Sequence, residues 1–279
     1  MNVSENSAII RLNYVKSILK VRKEDSHKGT FGHALIFAGS KGRMGAAVIS
    51  SKACLRSGVG LLSVNIPEEE RLILQVSLPE AMLQFREDEI VDLSLFSAIG
   101  IGPGFGIDEV SVHLFRKIIP LVNQSIVLDA DALTILSSEK EMLNKLPTNS
   151  ILTPHPKEFD RLFGEHNNLQ ERQQKAIQKA KELNCIIVLK GNATFITNGE
   201  TSFLNSTGNS GLAKGGSGDA LTGMITSFLA QKYEPFIAAQ LGVYIQGLAA
   251  DYTLKNQSEE SMLISDVIEN IGEAFREFF

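Results

Sequence analysis

Residues 205–219 read NSTGNSGLAKGGSGD and run directly into the apolar ALTGMI of residues 220–225. A glycine-rich loop with one carboxylate at the mouth of a helix has specific chemical uses. Glycines 215, 216 and 218 allow sharp turns and leave backbone N–H groups without partners, Ser217 reads as the N-cap, and Asp219 falls in the first helical turn. Free N–H groups at a helix N-terminus, helped by the helix dipole, form a hole for an anion. The simplest such anion is a phosphoryl group in transfer, held by the N–H groups of Gly216, Ser217 and Gly218. A carboxylate beside that hole can take the proton of a substrate hydroxyl as the hydroxyl attacks phosphorus, which makes Asp219 the candidate general base. The competing explanation is that Asp219 only complements the helix dipole. Neither the GxxxxGK[ST] order of a P-loop nor a GxGxxG after the first strand is present.

The elements that must hold this loop follow from periodicity. Short apolar runs at 34–38, 60–64, 97–101, 125–131, 150–153 and 185–191 read as buried strands, with helical spacing over 45–57, 107–119, 157–163 and 169–183 between them. Strands buried on both faces and separated by helices predict a three-layer αβα fold around a mainly parallel sheet. ATFIT and TSFLN flank Asn-Gly-Glu at 198–200, a hairpin signal, and three helical segments close the chain at 217–231, 234–251 and 263–279. The last of these is amphipathic and could pack on its own domain or on a neighbour. No repeat, low-complexity tract or linker interrupts residues 1–279, so one domain is expected.

Ligands of an open parallel sheet bind beyond the carboxyl ends of its strands. Here those ends carry GSKGRMGAA (39–47), GPGFG (102–106), DAD (129–131), TPHPKE (153–158) and KGN (190–192). Any one such loop is ordinary, but five on a single rim point to a site. Asp129 and Asp131 could hold Mg²⁺ through water, as phosphoryl transfer requires charge to be offset, or could cap the following helix. Lys28 and Lys41 read as solvated surface lysines, whereas Asn209 and Lys214, inside the glycine loop, are expected to face a nucleotide.

Composition narrows the partners. The net charge of −5 provides no footprint for nucleic acid or an anionic membrane. Cys54 and Cys185 are far apart, each among apolar residues, and read as buried free thiols of a cytoplasmic protein. The charged N-terminal stretch is not a secretory signal, and no apolar run is long enough for a membrane span.

At this point the residues resemble a known family. GSGD at 216–219 is similar to the GxGD signature of the ribokinase-like superfamily. The stretch 27–64 (HKGTFGHALIFAGSKGRMGAAVISSKACLRSGVGLLSV), with GPGFG, LDADAL (128–133), LTPHPKEF (152–159), Lys190 to Thr194 and 205–219, together resemble the NAD(P)H-hydrate dehydratase family. The resemblance runs in order from about residue 26 to about residue 225.

The resemblance implies repair of NADH or NADPH whose nicotinamide ring has added water. A nucleoside phosphate phosphorylates the hydrate hydroxyl, and loss of phosphate restores the reduced cofactor. It further implies that Asp219 is the base. Lys190, Gly191, Asn192, Ala193 and Thr194, with Gly218, would border the nucleotide. Ala46, Gly104, His155 and Asp219 would border the hydrated cofactor, His155 being presented rigidly between Pro154 and Pro156. ADP as donor, Mg²⁺, the S form of the hydrates (NADHX and NADPHX), a homo-oligomer such as a tetramer, and the absence of a preceding epimerase domain are expected on the same ground. A small-alcohol kinase of the same superfamily, making a stable phosphate ester, is the nearest rival, and a nucleotide-binding regulator without turnover is the next.

Overall fold

The computed structural model describes residues 7–90 and 92–279. Ten strands form one sheet: β1 (Ala8–Ile9), β2 (His33–Phe37), β3 (Leu61–Ile66), β4 (Met82–Phe85), β5 (Ala98–Ile101), β6 (Ile126–Leu128), β7 (Ile151–Leu152), β8 (Ile186–Leu189), β9 (Phe195–Thr197) and β10 (Ser202–Leu204). Their order is β1-β10-β9-β8-β7-β6-β5-β2-β3-β4, parallel throughout except that β9 runs against both β8 and β10. The predicted mainly parallel αβα architecture is what forms.

Alternation along the central strands fills two cores at once. Ala34 and Ile36 of β2 enter one apolar cluster, and Leu35 and Phe37 enter the other. Period-two geometry sends successive side chains to opposite faces, so a strand covered on both sides must be apolar throughout. The first face carries the helices Met44–Arg56, Ser217–Ala230 and Pro235–Thr253; the second carries Glu109–Ile118, Ala130–Ser138 and Leu169–Leu183.

Every residue of the helix Ser217–Ala230 from Ala220 to Ala230 is buried, as a mostly apolar helix requires, with the hydroxyls of Thr222, Thr226 and Ser227 buried among them. It lies backbone-to-backbone on Met44–Arg56: a Cβ on Gly223 would come within 1.9 Å of the Ser50 carbonyl oxygen.

The edge strands and the C-terminal segment differ from the sequence expectation. β1 and β4 are short edge strands whose few residues carry no readable alternation. The segment 263–279 is two short helices, Ile264–Glu269 and Ile271–Arg276, divided at Asn270, rather than one. Their apolar side chains Val267, Ile268, Ile271 and Ala274 are buried in the chain's own first core. The Asn-Gly hairpin joins β9 to β10 as expected, and Cys54 and Cys185 are free and buried. Among the described residues no helix is long and apolar enough to cross a membrane.

Candidate active site

The rim beyond β6, β7 and β8 is organised around Asp129, whose side chain is almost fully buried. A buried carboxylate must be paired and hydrogen-bonded. Its Oδ1 accepts from the Lys190 ammonium at 2.7 Å and from the Thr153 hydroxyl at 2.8 Å, and its Oδ2 accepts from the Thr222 hydroxyl at 3.1 Å. Asp129 occupies the N-cap position of the next helix but makes no side-chain cap bond, so the helix-cap expectation gives way to this network. Ala130 follows with φ of 46°, a left-handed conformation that a residue with a Cβ adopts only under constraint. That turn separates the two carboxylates. Asp131 accepts from the Gly106 N–H at 2.8 Å and faces Arg43 at 3.4 Å, which ties the DAD loop to the loops after β5 and β2.

The glycine loop meets this network from above. The helix begins at Ser217, and its N-cap is Gly216 in the left-handed region (φ 95°), not Ser217 as the sequence suggested. Only glycine adopts that conformation readily. Among the described residues, the backbone N–H groups of Gly216, Gly218 and Asp219 find no acceptor in the chain, and Ser217 donates only a long 3.4 Å bond to the Lys214 carbonyl. Of the three N–H groups expected to hold an anion, those of Gly216 and Gly218 are free, that of Ser217 is engaged, and that of Asp219 joins them. Gly218 packs closely on this network: a Cβ there would lie 3.1 Å from both Asp129 Oδ2 and the Lys190 ammonium.

The Asp219 side chain makes no hydrogen bond among the described residues. Burial, then the charges of Asp129 and Asp131, push its pKa up to about 6, with Lys190 opposing them. A carboxylate with that pKa is ionised near neutrality yet basic enough to take a proton. Lys190 is a fixed cation: burial acts to lower its pKa, but Asp129 and Glu158 overcome that and raise it.

The remaining candidates fall into three groups. Ala46 and Gly104 are brought together, since a Cβ on Gly104 would sit 3.0 Å from that of Ala46. His155 is the N-cap of Pro156–Phe163, with Nδ1 accepting from the N–H groups of Lys157 (3.1 Å) and Glu158 (3.2 Å) and its own N–H donating to Glu158 Oε2 at 2.8 Å. The His155 side chain is half-exposed, and its Nε2 stands 3.5 Å from Glu158 Oε1. Gly191, Asn192 and Ala193 form an exposed turn, closed by the Thr194 hydroxyl on the Gly191 carbonyl at 3.3 Å. Asn209, expected to face a nucleotide, is bonded within the chain: its Oδ1 accepts from the Gly211 N–H and its Nδ2 donates to Asp251. Lys214 is turned away from the loop onto the carbonyls of Glu260 and Met262, both at 2.6 Å. Lys28 and Lys41 are exposed.

Thr153, Glu158 and Thr222 take part in this network without having been singled out in the sequence. Glu158 had a visible signal, three residues after His155 in a capping box. Thr222 had a weaker one, one helical turn beyond Gly218, whose carbonyl its hydroxyl also contacts at 3.1 Å.

Residues 34–273 match the family described as NAD(P)H-hydrate dehydratase. An ADP-dependent (S)-NAD(P)H-hydrate dehydratase of Bacillus subtilis is 37% identical over 94% of this chain and 96% of its own length. A bifunctional NAD(P)H-hydrate repair enzyme of Moorella thermoacetica is 33% identical over 95% of this chain, which spans only 53% of that longer relative. Among solved structures, an ADP/ATP-dependent NAD(P)H-hydrate dehydratase from B. subtilis, co-crystallised with ATP and Mg²⁺, superposes with a TM-score of 0.87 at 33% identity, over 98% of this chain and 99% of the other.

Proposed function

This chain belongs to the NAD(P)H-hydrate dehydratase family, and on that premise we propose that it is an ADP-dependent (S)-NAD(P)H-hydrate dehydratase. Its substrates are then the S forms of NADHX and NADPHX, and its products the reduced cofactors, AMP and phosphate. The observation that carries the reading is Asp219, unpartnered and with a pKa of about 6, beside the unpaired N–H groups of Gly216 and Gly218.

In this mechanism Asp219 takes the proton of the hydrate hydroxyl. The freed oxygen attacks the terminal phosphorus of ADP while the bond from that phosphorus to the AMP oxygen breaks. The N–H groups at the helix start hold the phosphoryl oxygens as charge moves across them. Lys190, fixed by Asp129, adds a positive charge beneath the same helix end. Phosphate then leaves with the hydrate oxygen as the adjoining ring carbon gives up its proton, and the ring double bond returns. Ala46, Gly104 and His155 border the hydrated ring, and residues 190–194 with Gly218 border the nucleotide.

The donor set suits Mg²⁺ only as an ion carried on phosphates. Asp129 has both oxygens engaged, and among the described residues no group of three His, Cys, Asp or Glu side chains could hold a metal. Asp131, with one oxygen bonded to Gly106, could reach a hydrated ion through water; the ion would offset phosphate charge.

The test supplies hydrated NADH and Mg²⁺ with ADP or ATP and follows the return of reduced-nicotinamide absorbance. Recovery with ADP and release of AMP supports the proposal, and recovery with ATP alone reverses the donor. No recovery from protein that still binds nucleotide points to a small-alcohol kinase instead.

A further inference from the structure

Arg86 lies just past the end of β4, the outermost strand of the sheet, yet its side chain reaches back across the ends of β3 and β2. Its Nη1 donates to the carbonyl of Phe105 at 2.8 Å, and its Nη2 donates to the carbonyls of Ala38 (3.0 Å) and Gly39. The guanidinium also stands over the Phe105 ring, 4.5 Å from its centroid. These are the loops after β2 and β5, which the chain separates by some sixty residues and the sheet makes neighbours.

This is an unusual place for a guanidinium. Among the described residues no carboxylate bonds it; Asp108, Glu87 and Asp131 act on it only at a distance, and burial lowers its pKa to about 10, so it remains charged at neutrality. Its Nε is buried and has no hydrogen-bond partner among the described residues. A side chain selected for stability alone would be apolar there, because a buried charge without an ion pair is costly. What the charge does achieve is visible in its acceptors. A planar fork can hold several carbonyls at fixed spacing, as an ammonium cannot.

The two clamped loops are also joined by the Gly39 N–H to the Pro103 carbonyl at 2.8 Å. Gly104, between Pro103 and the clamped Phe105, packs so closely on Arg43 and Ala46 that its missing side chain would meet the Arg43 carbonyl at 2.9 Å. We infer that Arg86 is a positioning residue that sets the gap between the loop after β2 and the loop after β5, and thereby the fit of the hydrated nicotinamide ring against Ala46 and Gly104. The nucleotide side of the rim, at Lys190 and Gly218, has no contact with it. The inference rests on the proposed function for its kinetic readout but not for its structural one.

The experiment compares the parent with Arg86→Lys and Arg86→Ala. Three quantities are read: KM for hydrated NADH, the dissociation constant for ADP, and hydrogen exchange at the Gly39 and Phe105 amides. The inference expects KM for the hydrate to rise at least tenfold in both variants, with ADP affinity unchanged within twofold. Exchange at the two amides should quicken, and methylguanidinium added to Arg86→Ala should restore both KM and protection. Equal losses for hydrate and nucleotide, or unchanged exchange at both amides, would overturn it. If the parent itself dehydrates nothing, the functional proposal fails, while exchange and its rescue in the alanine variant still decide whether Arg86 is a clamp. If the alanine variant does not fold, the lysine variant carries the same comparison.

Discussion

The Asp129 carboxylate and the Lys190 ammonium are 2.7 Å apart, and Gly218 closes over the pair so that a Cβ there would lie 3.1 Å from each. One buried ion pair thus fixes the height at which the helix bearing Asp219 begins. It also supplies the opposed charges that act on that base: Asp129 raises its pKa and Lys190 lowers it. The consequences can be measured.

Asp219→Asn keeps the shape of the side chain and removes the base. Turnover should fall by about 10²-fold or more, while nucleotide affinity stays near that of the parent. Steady-state kinetics beside calorimetric binding make the distinction. Surviving turnover would assign the proton to another group.

The pH profile follows from the same carboxyl. With a folded pKa of about 6, kcat/KM should fall as pH drops through that value and Asp219 becomes protonated. The linkage sign runs the other way for stability. A raised folded pKa means that the folded state binds the proton more tightly, so stability is fully present below about pH 4 and declines as pH rises towards 6. Because Asp219 is only partly shielded, the discounted cost at pH 8 is about 1–2 kcal/mol. Asp219→Asn should therefore melt higher than the parent at pH 8, by a few degrees, and lose that advantage near pH 4. Thermal melts across pH 4–8 test this.

Gly218→Ala places a methyl group 3.1 Å from Asp129 Oδ2 and from the Lys190 ammonium, so both must give way by a few tenths of an ångström while bonded to each other. Activity should drop by about tenfold or more as the anion hole shifts, and stability should fall by about 1 kcal/mol. Gly272→Ala is the control, since nothing lies within 4 Å of a Cβ at that position. Equal behaviour of the two variants would remove the packing argument for Gly218.

Lys190→Met leaves Asp129 buried beside two hydroxyls and without its counter-charge. The expected cost is about 3 kcal/mol by chemical denaturation. Changing both partners, in Lys190→Met with Asp129→Leu, should recover part of it, because an unpaired buried charge costs more than an absent pair. Strict additivity of the two single changes would mean that the pair is not coupled.

Local sequence determined a good deal. The central strands declared themselves because both faces of each are buried and every residue had to be apolar. The helix at Ser217 and its free N–H groups were legible because glycine and a first-turn aspartate act within a few residues of themselves. Even the hairpin at Asn198 and Gly199 is a two-residue decision. The C-terminal helix break at Asn270 and the edge strands β1 and β4 were not legible, since packing on the rest of the chain decides such short elements.

Only the tertiary structure decided who meets whom at the rim. Lys190 reaches Asp129 across 61 positions, Thr222 across 93, and Arg86 grips carbonyls 19 and 48 residues away. Those meetings depend on strand order, in which β2 lies beside β5 although β3 and β4 intervene in the chain. Periodicity states which face a side chain takes, but it is silent on which strand becomes its neighbour. The sequence could therefore point to Asp219 as a base, while the partners that tune it, and the unexpected turn of Lys214 away from the site, waited on how the sheet was assembled.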